Sequence, residues 1–259
     1  MRFKTLFLLC VIFVPAALAQ IPTIADGGIL NGASFVKGQA VAPGSLVSLF
    51  GTNLAADLAQ ADSIPLSTNI AGVSVTFNGV KAPLYFVSSG QINAQVPWEV
   101  SSANSLNVVV QRGSNSSAIA TVSQVGAAPG LFLVPGSSQA IAINGDGTLA
   151  AAPGAISGLN THPAKSGDVL IVYATGLGAV DIPVASGANS LDQLRRTVGN
   201  PTVSIGGVPA SVAFSGLTPQ FPGVNQLNIV VPTGVATGGS VPISIQLNGI
   251  THQATLAIQ

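Results

Sequence analysis

The sequence has few of the residues that charge-based and redox functions require. Only 6% of its residues are charged, and its single cysteine, Cys10, lies in an apolar run near the N-terminus. So few lysines and arginines exclude the concentrated positive charge by which proteins hold nucleic acid or anionic membranes. A lone cysteine excludes an intramolecular disulfide, so any folded domain must be stabilised by its core.

Long apolar runs are missing as well, and none reaches the roughly 20 residues with which a helix spans a bilayer. The first run, Thr5–Val14, follows two basic residues and precedes a stretch of small residues that ends at Ala19. A short basic region, an apolar core of about ten residues and a small-x-small site are typical of a secretory signal peptide. The sequence therefore predicts that residues 1–19 are cleaved after Ala19 and that the protein is exported, to the periplasm, the cell surface or the medium.

Glycine and proline are abundant, with 30 and 17 residues, and 47% of the chain is hydrophobic. Frequent glycine and proline disfavour long helices. A hydrophobic content this high, rich in valine, isoleucine and leucine, disfavours disorder. Short strands separated by turns remain, which indicates an all-β protein.

The chain contains two copies of one module. Four segments match in the same order: Pro43–Leu54 with Ser166–Leu177, Val75–Val80 with Val203–Val208, Gln91–Pro97 with Gln226–Pro232, and Leu106–Gln111 with Val241–Leu247. Matches that keep their order along the chain are typical of a duplicated domain. We expect the first domain at residues 20–127, a hairpin segment between the domains at 128–164, and the second domain at 165–259.

Apolar and polar residues alternate within the expected strands. Val73, Val75 and Phe77 share one face, and the segment Val241–Leu247 repeats the pattern. Such alternation predicts a sheet that is covered on one face, and two such sheets close into a sandwich. Pairs such as Asn78-Gly79 favour type I′ hairpins. The predicted fold is therefore two tandem immunoglobulin-like β-sandwiches.

Short motifs spread along the chain suggest a family. They are Asn31–Phe35, Ala42–Ser45, Phe50–Leu54, Gln91–Asn93, Val96–Trp98, Ala128–Phe132, Thr175–Gly178 and Gln226–Asn228. On these motifs the chain resembles the Solibacter-type uncharacterised C-terminal domain family of exported proteins from Acidobacteria, from about Gly28 to Gln259. The resemblance implies tandem sandwiches of the IPT/TIG class, often joined to other extracellular modules, and it implies no activity.

Motifs of catalysis are missing: the sequence has no G-x-S-x-G, no H-E-x-x-H and no phosphate-binding loop. Because the sequence contains two histidines, His162 and His252, a Ser–His–Asp triad is retained as a minor alternative. Asn144–Thr148 has oxygen-bearing residues at alternate positions, as calcium sites do, but a tight turn explains the same residues. We predict that the protein is not an enzyme and holds no cofactor or metal.

Candidate binding residues are those that the two copies do not share. Trp98 aligns with a threonine, which leaves open a role between the domains or as a face on which a sugar stacks. Arg195 and Arg196 form the one adjacent basic pair, in a possible helical turn within the loop Ala179–Asn200. That loop and Ala55–Ile70 differ most between the copies. Divergent loops on a rigid scaffold usually form the binding site, and the alternative is a surface loop with no binding role.

The residues that do recur are interpreted as scaffold. Gln91 with Asn93, and Gln226 with Asn228, are predicted to satisfy backbone groups at a corner of each sandwich. The function predicted is a non-catalytic exported module that binds an extracellular protein or polysaccharide and no nucleic acid. A structural or adhesive component of the envelope is the alternative, and a secreted hydrolase is a minor one.

Overall fold

The computed structural model describes residues 20–100 and 103–259, and it consists of two β-sandwiches in tandem. The predicted signal peptide, residues 1–19, lies outside the described residues. Within the described ranges the one helical element is a 3-10 turn at Trp98–Val100. No helix in these ranges is long and apolar enough to cross a membrane. The predicted all-β fold with two immunoglobulin-like sandwiches is confirmed.

The first sandwich has ten strands. They are β1 (Thr23–Asn31), β2 (Leu46–Thr52), β3 (Ala59–Gln60), β4 (Val73–Phe77), β5 (Val80–Lys81), β6 (Leu84–Val87), β7 (Gln91–Gln95), β8 (Ser105–Arg112), β9 (Asn115–Ser116) and β10 (Ala120–Ser123). One sheet has the order β1-β2-β7-β6-β3, and the other has the order β10-β8-β4-β5 with β9 beside β8. All strand pairs in both sheets are antiparallel, and short turns join the consecutive pairs β4–β5, β6–β7 and β8–β9.

The alternation within the strands explains the first core. Val73, Val75 and Phe77 of β4 are fully buried, and they belong to the same cluster as Leu49 of β2 and Ile92 of β7 in the facing sheet. Each such side chain contributes about 1.5–3 kcal/mol when it is fully buried. The turn after β4 has positive φ at both Asn78 (48°) and Gly79 (83°), as a type I′ hairpin requires.

The second sandwich has eight strands. They are β11 (Gly130–Leu131), β12 (Ala142–Ile143), β13 (Val169–Thr175), β14 (Thr202–Ile205), β15 (Val208–Leu217), β16 (Asn225–Val230), β17 (Gly238–Leu247) and β18 (Ile250–Ile258). Their order is β11-β13-β16-β15-β14-β17-β18, with β12 beside β13. β15 joins the two layers, because its first residues pair with β14 and the rest pair with β16.

Residues 128–164 are attached to the second sandwich. β11 and β12 both pair with β13. Gln139 and Ala164 form parallel bridges to Thr255 and Ile258 of β18, at the other side of the sandwich. The segment therefore covers both outer strands of this domain, and its alanines enter the second core. The division of the chain into residue ranges stays a prediction.

Polar side chains hold the two sandwiches together. The Thr175 hydroxyl accepts a hydrogen bond from Leu46 N (2.8 Å) and donates one to Gly223 O (2.7 Å). Asn31 Nδ2 donates to Ala128 O at 2.8 Å. The Tyr85 hydroxyl donates to Pro222 O at 2.7 Å, and burial raises its pKa, so it stays a donor at any physiological pH. We call this set of contacts the seam.

Candidate functional site

Trp98 lies at the seam. Its backbone N–H donates to Ser186 Oγ of the second sandwich at 2.9 Å, and the same hydroxyl donates to Glu99 Oε2 at 2.7 Å. The indole ring packs on Gly44, where an added Cβ would lie 2.1 Å from two ring carbons. The indole N–H is buried without a hydrogen-bond partner in the described residues. Trp98 as a whole residue is half-buried.

The two loops that differ most between the copies meet at this place. Gly187, in the loop Ala179–Asn200, donates its N–H to Gln95 Oε1 at 2.7 Å. Its carbonyl accepts from the N–H of Leu66, in the loop Ala55–Ile70, at 2.9 Å. Gly187 of the loop Ala179–Asn200 therefore contacts the first sandwich directly. Both loops thus have a structural role that the sequence comparison did not predict.

Arg195 is locked within the fold. Its side chain is 5% exposed, and it donates from Nη1 and Nη2 to the two carboxylate oxygens of Asp192 at 2.7 and 3.0 Å. Arg195 Nε donates to Pro183 O. The hydrogen bond from Arg195 lowers the pKa of Asp192 to about 2, so the pair stays charged. These bonds engage three of the five N–H donors of the buried guanidinium, and the candidate binding role of Arg195 stays untested.

No helical turn forms at this loop, and that prediction is wrong. The backbone is tied to neighbouring segments: Ser190 N–H donates to Pro219 O (2.9 Å), and Leu217 N–H donates to Arg195 O (3.0 Å). These tertiary bonds tie both ends of the stretch to the segment around Leu217 and Pro219. The residues between them adopt bends instead.

Arg196 is exposed, in contrast to its neighbour. Its guanidinium carbon lies 5.0 Å from the centroid of the Phe214 ring, a cation–π arrangement. Its backbone N–H donates to Asp181 Oδ1 at 2.9 Å. Among the described residues no carboxylate forms an ion pair with this guanidinium. Its hydrogen-bond donors are therefore open to a partner.

Local backbone geometry explains how Phe214 reaches this position. The pairing of β15 with β16 shifts register between Val212 and Phe214, which is a bulge that re-aims side chains. A Cβ at Gly216 would lie 2.2 Å from Arg195 O and 2.4 Å from the Phe214 ring, so only glycine allows this approach. The Arg196–Phe214 stack is therefore a built feature of the second sandwich.

A groove of about 470 Å³ runs beside the stack, lined by Arg196, Phe214, Thr197, Asn200 and Pro209 among others. A second, shallow groove of about 510 Å³ continues it, because both are lined by Thr202, Val203 and Pro209. Its remaining lining residues are uncharged and mostly polar: Ser204, Ser244, Gln246 and Thr251. The surface thus combines one cation, one aromatic ring and many hydroxyl and amide groups, and we call it the Arg196 groove.

Both histidines have structural partners. His252 is buried, which lowers its pKa, and its neutral Nδ1 accepts from Leu131 N at 3.1 Å. His162 Nε2 lies 2.9 Å from Asp146 Oδ2, and Nδ1 lies 2.8 Å from Pro163 O. The bond to Pro163 O and then that to Asp146 raise the pKa of His162, since both favour the doubly protonated ring. The hydrogen bonds of the described residues give neither imidazole a serine or threonine hydroxyl as partner.

The residues Asn144–Thr148 form a turn. Asp146 Oδ1 accepts from Thr148 N (3.0 Å) and Thr148 Oγ1 (2.7 Å), and its other oxygen bonds His162. The hydrogen bond from the Thr148 hydroxyl is the largest cause that lowers the pKa of Asp146. Both carboxylate oxygens are thus engaged within the chain. Among the described residues, no three His, Cys, Asp or Glu side chains group together as metal ligands.

The recurring amides bond each other, which differs from the predicted backbone contacts. Gln91 Nε2 donates to Asn93 Oδ1 at 2.8 Å, and Gln226 Nε2 donates to Asn228 Oδ1 at the same distance. Residues two apart lie on the same face of a strand, which explains the pairing. The sequence comparison did not single out Thr175 or Asn31 individually, because their roles depend on partners in the other sandwich.

The comparison with protein families agrees with this fold. The model of the IPT/TIG domain family matches residues 34–124, within the first sandwich. Among solved structures, domains 5–6 of the S-layer protein SbsC are 11% identical over 92% of this chain and 98% of that one, with a TM-score of 0.26. The C-terminal domain of the Streptococcus agalactiae AgI/II polypeptide BspA is 11% identical over 92% and 99%, with a TM-score of 0.21.

The titin tandem I9–I11 is 13% identical over 92% of this chain, with a TM-score of 0.22, and the alignment spans 65% of the titin chain. No curated protein sequence matches this chain. The IPT/TIG match and the observed sandwiches fit a non-catalytic interaction or structural module.

Proposed function

We propose that the protein is a non-catalytic, exported interaction module that binds a carboxylate-bearing partner, foremost an acidic polysaccharide, in the Arg196 groove. The observation that carries the proposal is the exposed guanidinium of Arg196, which is held over Phe214 and has no carboxylate partner in the described residues. The export signal at residues 1–19 and the resemblance to the Solibacter-type family of exported proteins belong to the same proposal.

Arginine suits this role because its planar donors match the geometry of a carboxylate. Stacking on Phe214 restricts the side chain before a partner arrives, which reduces the entropy lost on binding. The carboxylate of Asp181 binds the backbone N–H of Arg196 and leaves the guanidinium open.

The rest of the groove favours a polysaccharide over a protein segment. Its lining offers hydroxyl and amide groups from Thr202, Ser244 and Gln246, which can donate to and accept from sugar hydroxyls. Pro209 and Phe214 supply apolar surface against which sugar rings pack. A polysaccharide that bears uronic acids presents both chemistries along one chain.

The test is retention of residues 20–259 on immobilised polygalacturonate and alginate, with neutral dextran as the reference matrix. Arg196→Gln is expected to weaken binding about 10- to 100-fold, because a hydrogen bond to a charged group is worth about 1.5–3 kcal/mol. Lys81→Gln is the matched control, since it removes one exposed positive charge from the first sandwich. It should change binding less than about twofold.

Equal losses in the two variants would show attraction by net charge alone and contradict the proposal. Binding of an acidic protein segment, with no retention on either polysaccharide, would support the groove as the binding site. It would contradict the polysaccharide as partner and replace it with a protein.

A second candidate function is a structural or adhesive component of the envelope. The seam favours it, because Thr175, Asn31 and Tyr85 fix the sandwiches to each other as a rigid pair suited to a spacer. Concentration-dependent self-association in analytical ultracentrifugation, without retention on any polysaccharide, is the result expected for this function.

A further inference from the structure

The last strands of the two sandwiches are equivalent residue by residue. Val122 of β10 pairs with Leu106 of β8, and Leu256 of β18 pairs with Val241 of β17, where Leu106 and Val241 are matching positions in the sequence repeat. Thr121 therefore corresponds to Thr255, and Ser123 corresponds to Ala257.

Both strands use one shared contact on their outer side. In the first sandwich Val41 N–H donates to Ser123 O (2.9 Å), and Val125 N–H donates to Val41 O (3.0 Å). In the second sandwich Ala164 forms the same two bonds with Ala257 and Gln259, both at 2.9 Å. The module thus brings one residue, which lies shortly before β2 in the first copy and before β13 in the second, to this edge.

Beyond that residue the second sandwich has a further partner. Thr255 N–H donates to Ser138 O, and Ala140 N–H donates to Thr255 O, each at 2.8 Å. Gln139 runs parallel to Thr255 at this bridge. Ala257 N–H donates to Ala150 O at 2.9 Å. Extended pieces of residues 128–164 therefore complete the edge of β18.

Among residues 20–100 and 103–259, no such segment bonds the edge of the first sandwich. Thr121 lies opposite Asn107, whose N–H and carbonyl both bond Asn78 on the far side of β8, so the backbone groups of Thr121 point outward. Within residues 20–100 and 103–259, no group bonds the N–H or carbonyl of Thr121 or the N–H of Ser123. These are the three backbone groups whose equivalents are bonded in the second sandwich.

The space beside them is open. A groove of about 560 Å³ lies between the edge of β10 and β1, lined by Ile119–Ser123 on one side and Ile24–Ile29 on the other. The pairing of β1 with β2 is interrupted between Ile24 and Ile29, where two glycines lie. Ile119 is 66% exposed at the mouth of the groove.

We propose that this edge binds an extended segment of another polypeptide, which runs parallel to β10 and bonds Thr121 as Ser138 and Ala140 bond Thr255. The occupant is a strand because the open groups are backbone donors and acceptors in a row. It carries small and aliphatic side chains, as Ala140–Ile143 does in the second sandwich. The surface is separate from the Arg196 groove and goes beyond the proposed function.

The experiment uses residues 20–259 and a synthetic peptide with the sequence of residues 136–144, which completes the equivalent edge. Amide hydrogen exchange and titration by NMR are measured together. The expected result is binding with at least tenfold slower exchange at Thr121 and Ser123. Thr121→Pro removes the outward N–H, which an edge strand tolerates, and should weaken binding at least tenfold.

Three controls keep the test decisive. Thr121→Ala retains the backbone N–H and should bind the peptide within about threefold of the unmodified chain, because the contact is made by the backbone. A peptide with proline at the position of Ala140 lacks the N–H that donates to Thr121 O, so it should not bind, which tests the proposal even if Thr121→Pro unfolds. Arg196→Gln should bind the peptide normally, which separates this site from the polysaccharide groove.

The proposal is overturned if the peptide does not bind at millimolar concentration, or if Thr121→Ala loses as much affinity as Thr121→Pro. Dimerisation of the unmodified chain that Thr121→Pro abolishes would overturn it in favour of pairing with a second copy.

Discussion

The two sandwiches share a module but differ in what surrounds the same residues. Gly44 and Gly167 hold matching positions with positive φ, 76° and 87°, yet Gly44 lies under the Trp98 ring and Gly167 has nothing within 4 Å of an added Cβ. Thr52 is exposed at the end of β2, whereas its counterpart Thr175 is buried at the seam. The duplicated sequence thus forms the same scaffold twice. Residues at matching positions have different roles, because the contacts between the two copies differ from one position to the other.

The largest difference is expected at the outer strands. In the free protein the amides of Thr255 and Ala257 should exchange with solvent on the order of 100-fold more slowly than those of Thr121 and Ser123, because only the former are hydrogen-bonded. Hydrogen exchange followed by NMR measures all four rates in one sample. Equal protection at Thr121 and Thr255 would mean that the first edge is already covered.

Gly44→Ala should destabilise the fold more than Gly167→Ala. Both variants place a side chain at positive φ, which costs about 1 kcal/mol. Gly44→Ala also drives a Cβ into the Trp98 ring at 2.1 Å, and such overpacking adds about 1–3 kcal/mol. Urea unfolding of the two variants measures the difference. Identical losses would contradict the packing of Trp98 on Gly44.

Thr175→Val should cost about 2 kcal/mol of unfolding free energy. The substitution keeps the shape but leaves the Leu46 N–H and the Gly223 carbonyl without their partner in a buried seam. Thr52→Val, at the matching exposed position, should stay within about 0.5 kcal/mol of the unmodified chain. Denaturant titration checks both, and a loss shared by the two variants would argue against a specific role for the seam.

The smallest effect concerns the ion pair of Asp146 and His162, which belongs to the second sandwich only. The pKa of His162 is raised above its ordinary value of 6.5, so its contribution is complete below that pH and is lost as the pH rises through the folded-state pKa. The pKa of Asp146 is lowered from 3.8, so its contribution is present above that value and is lost in acid. The pair therefore stabilises between about pH 4 and the raised pKa of His162.

Asp146→Asn should consequently lower Tm more at pH 5 than at pH 9, by a small amount because both side chains are solvated. Thermal unfolding followed by circular dichroism at the two pH values measures this. A Tm difference that does not change with pH would show that the turn, and not the ion pair, carries the effect.

Much of the fold was predictable because its signals are local. The alternation of Val241, Ile243, Ile245 and Leu247 predicted their burial, and all four are buried. The Gly206-Gly207 turn has the predicted pair of positive φ angles, 58° and 80°. The possible helical turn at Ser190–Arg196 failed, since distant backbone groups of Pro219 and Leu217 decide the conformation there.

The candidate site was predictable in part. Comparing the copies pointed to Trp98 and to the arginine pair. The sequence does not distinguish the two adjacent arginines, but their environments in the structure are opposite. Arg195 is buried against Asp192, and Arg196 stacks on Phe214 of β15. Only the bulge and the close approach at Gly216 create the second environment, and a lone phenylalanine in a strand gives no sequence signal for it.

The sequence by itself determined the module, its duplication and the faces of its strands, because periodicity and turn residues act over a few neighbours. The tertiary structure alone decided which copy of an equivalent edge is completed, which threonine lies in the seam and which arginine is exposed. These outcomes depend on hydrogen bonds between residues far apart in the chain, such as Thr255 with Ser138 and Thr175 with Leu46. Small polar residues and backbone groups make those bonds, and neither carries a pattern that a sequence can display.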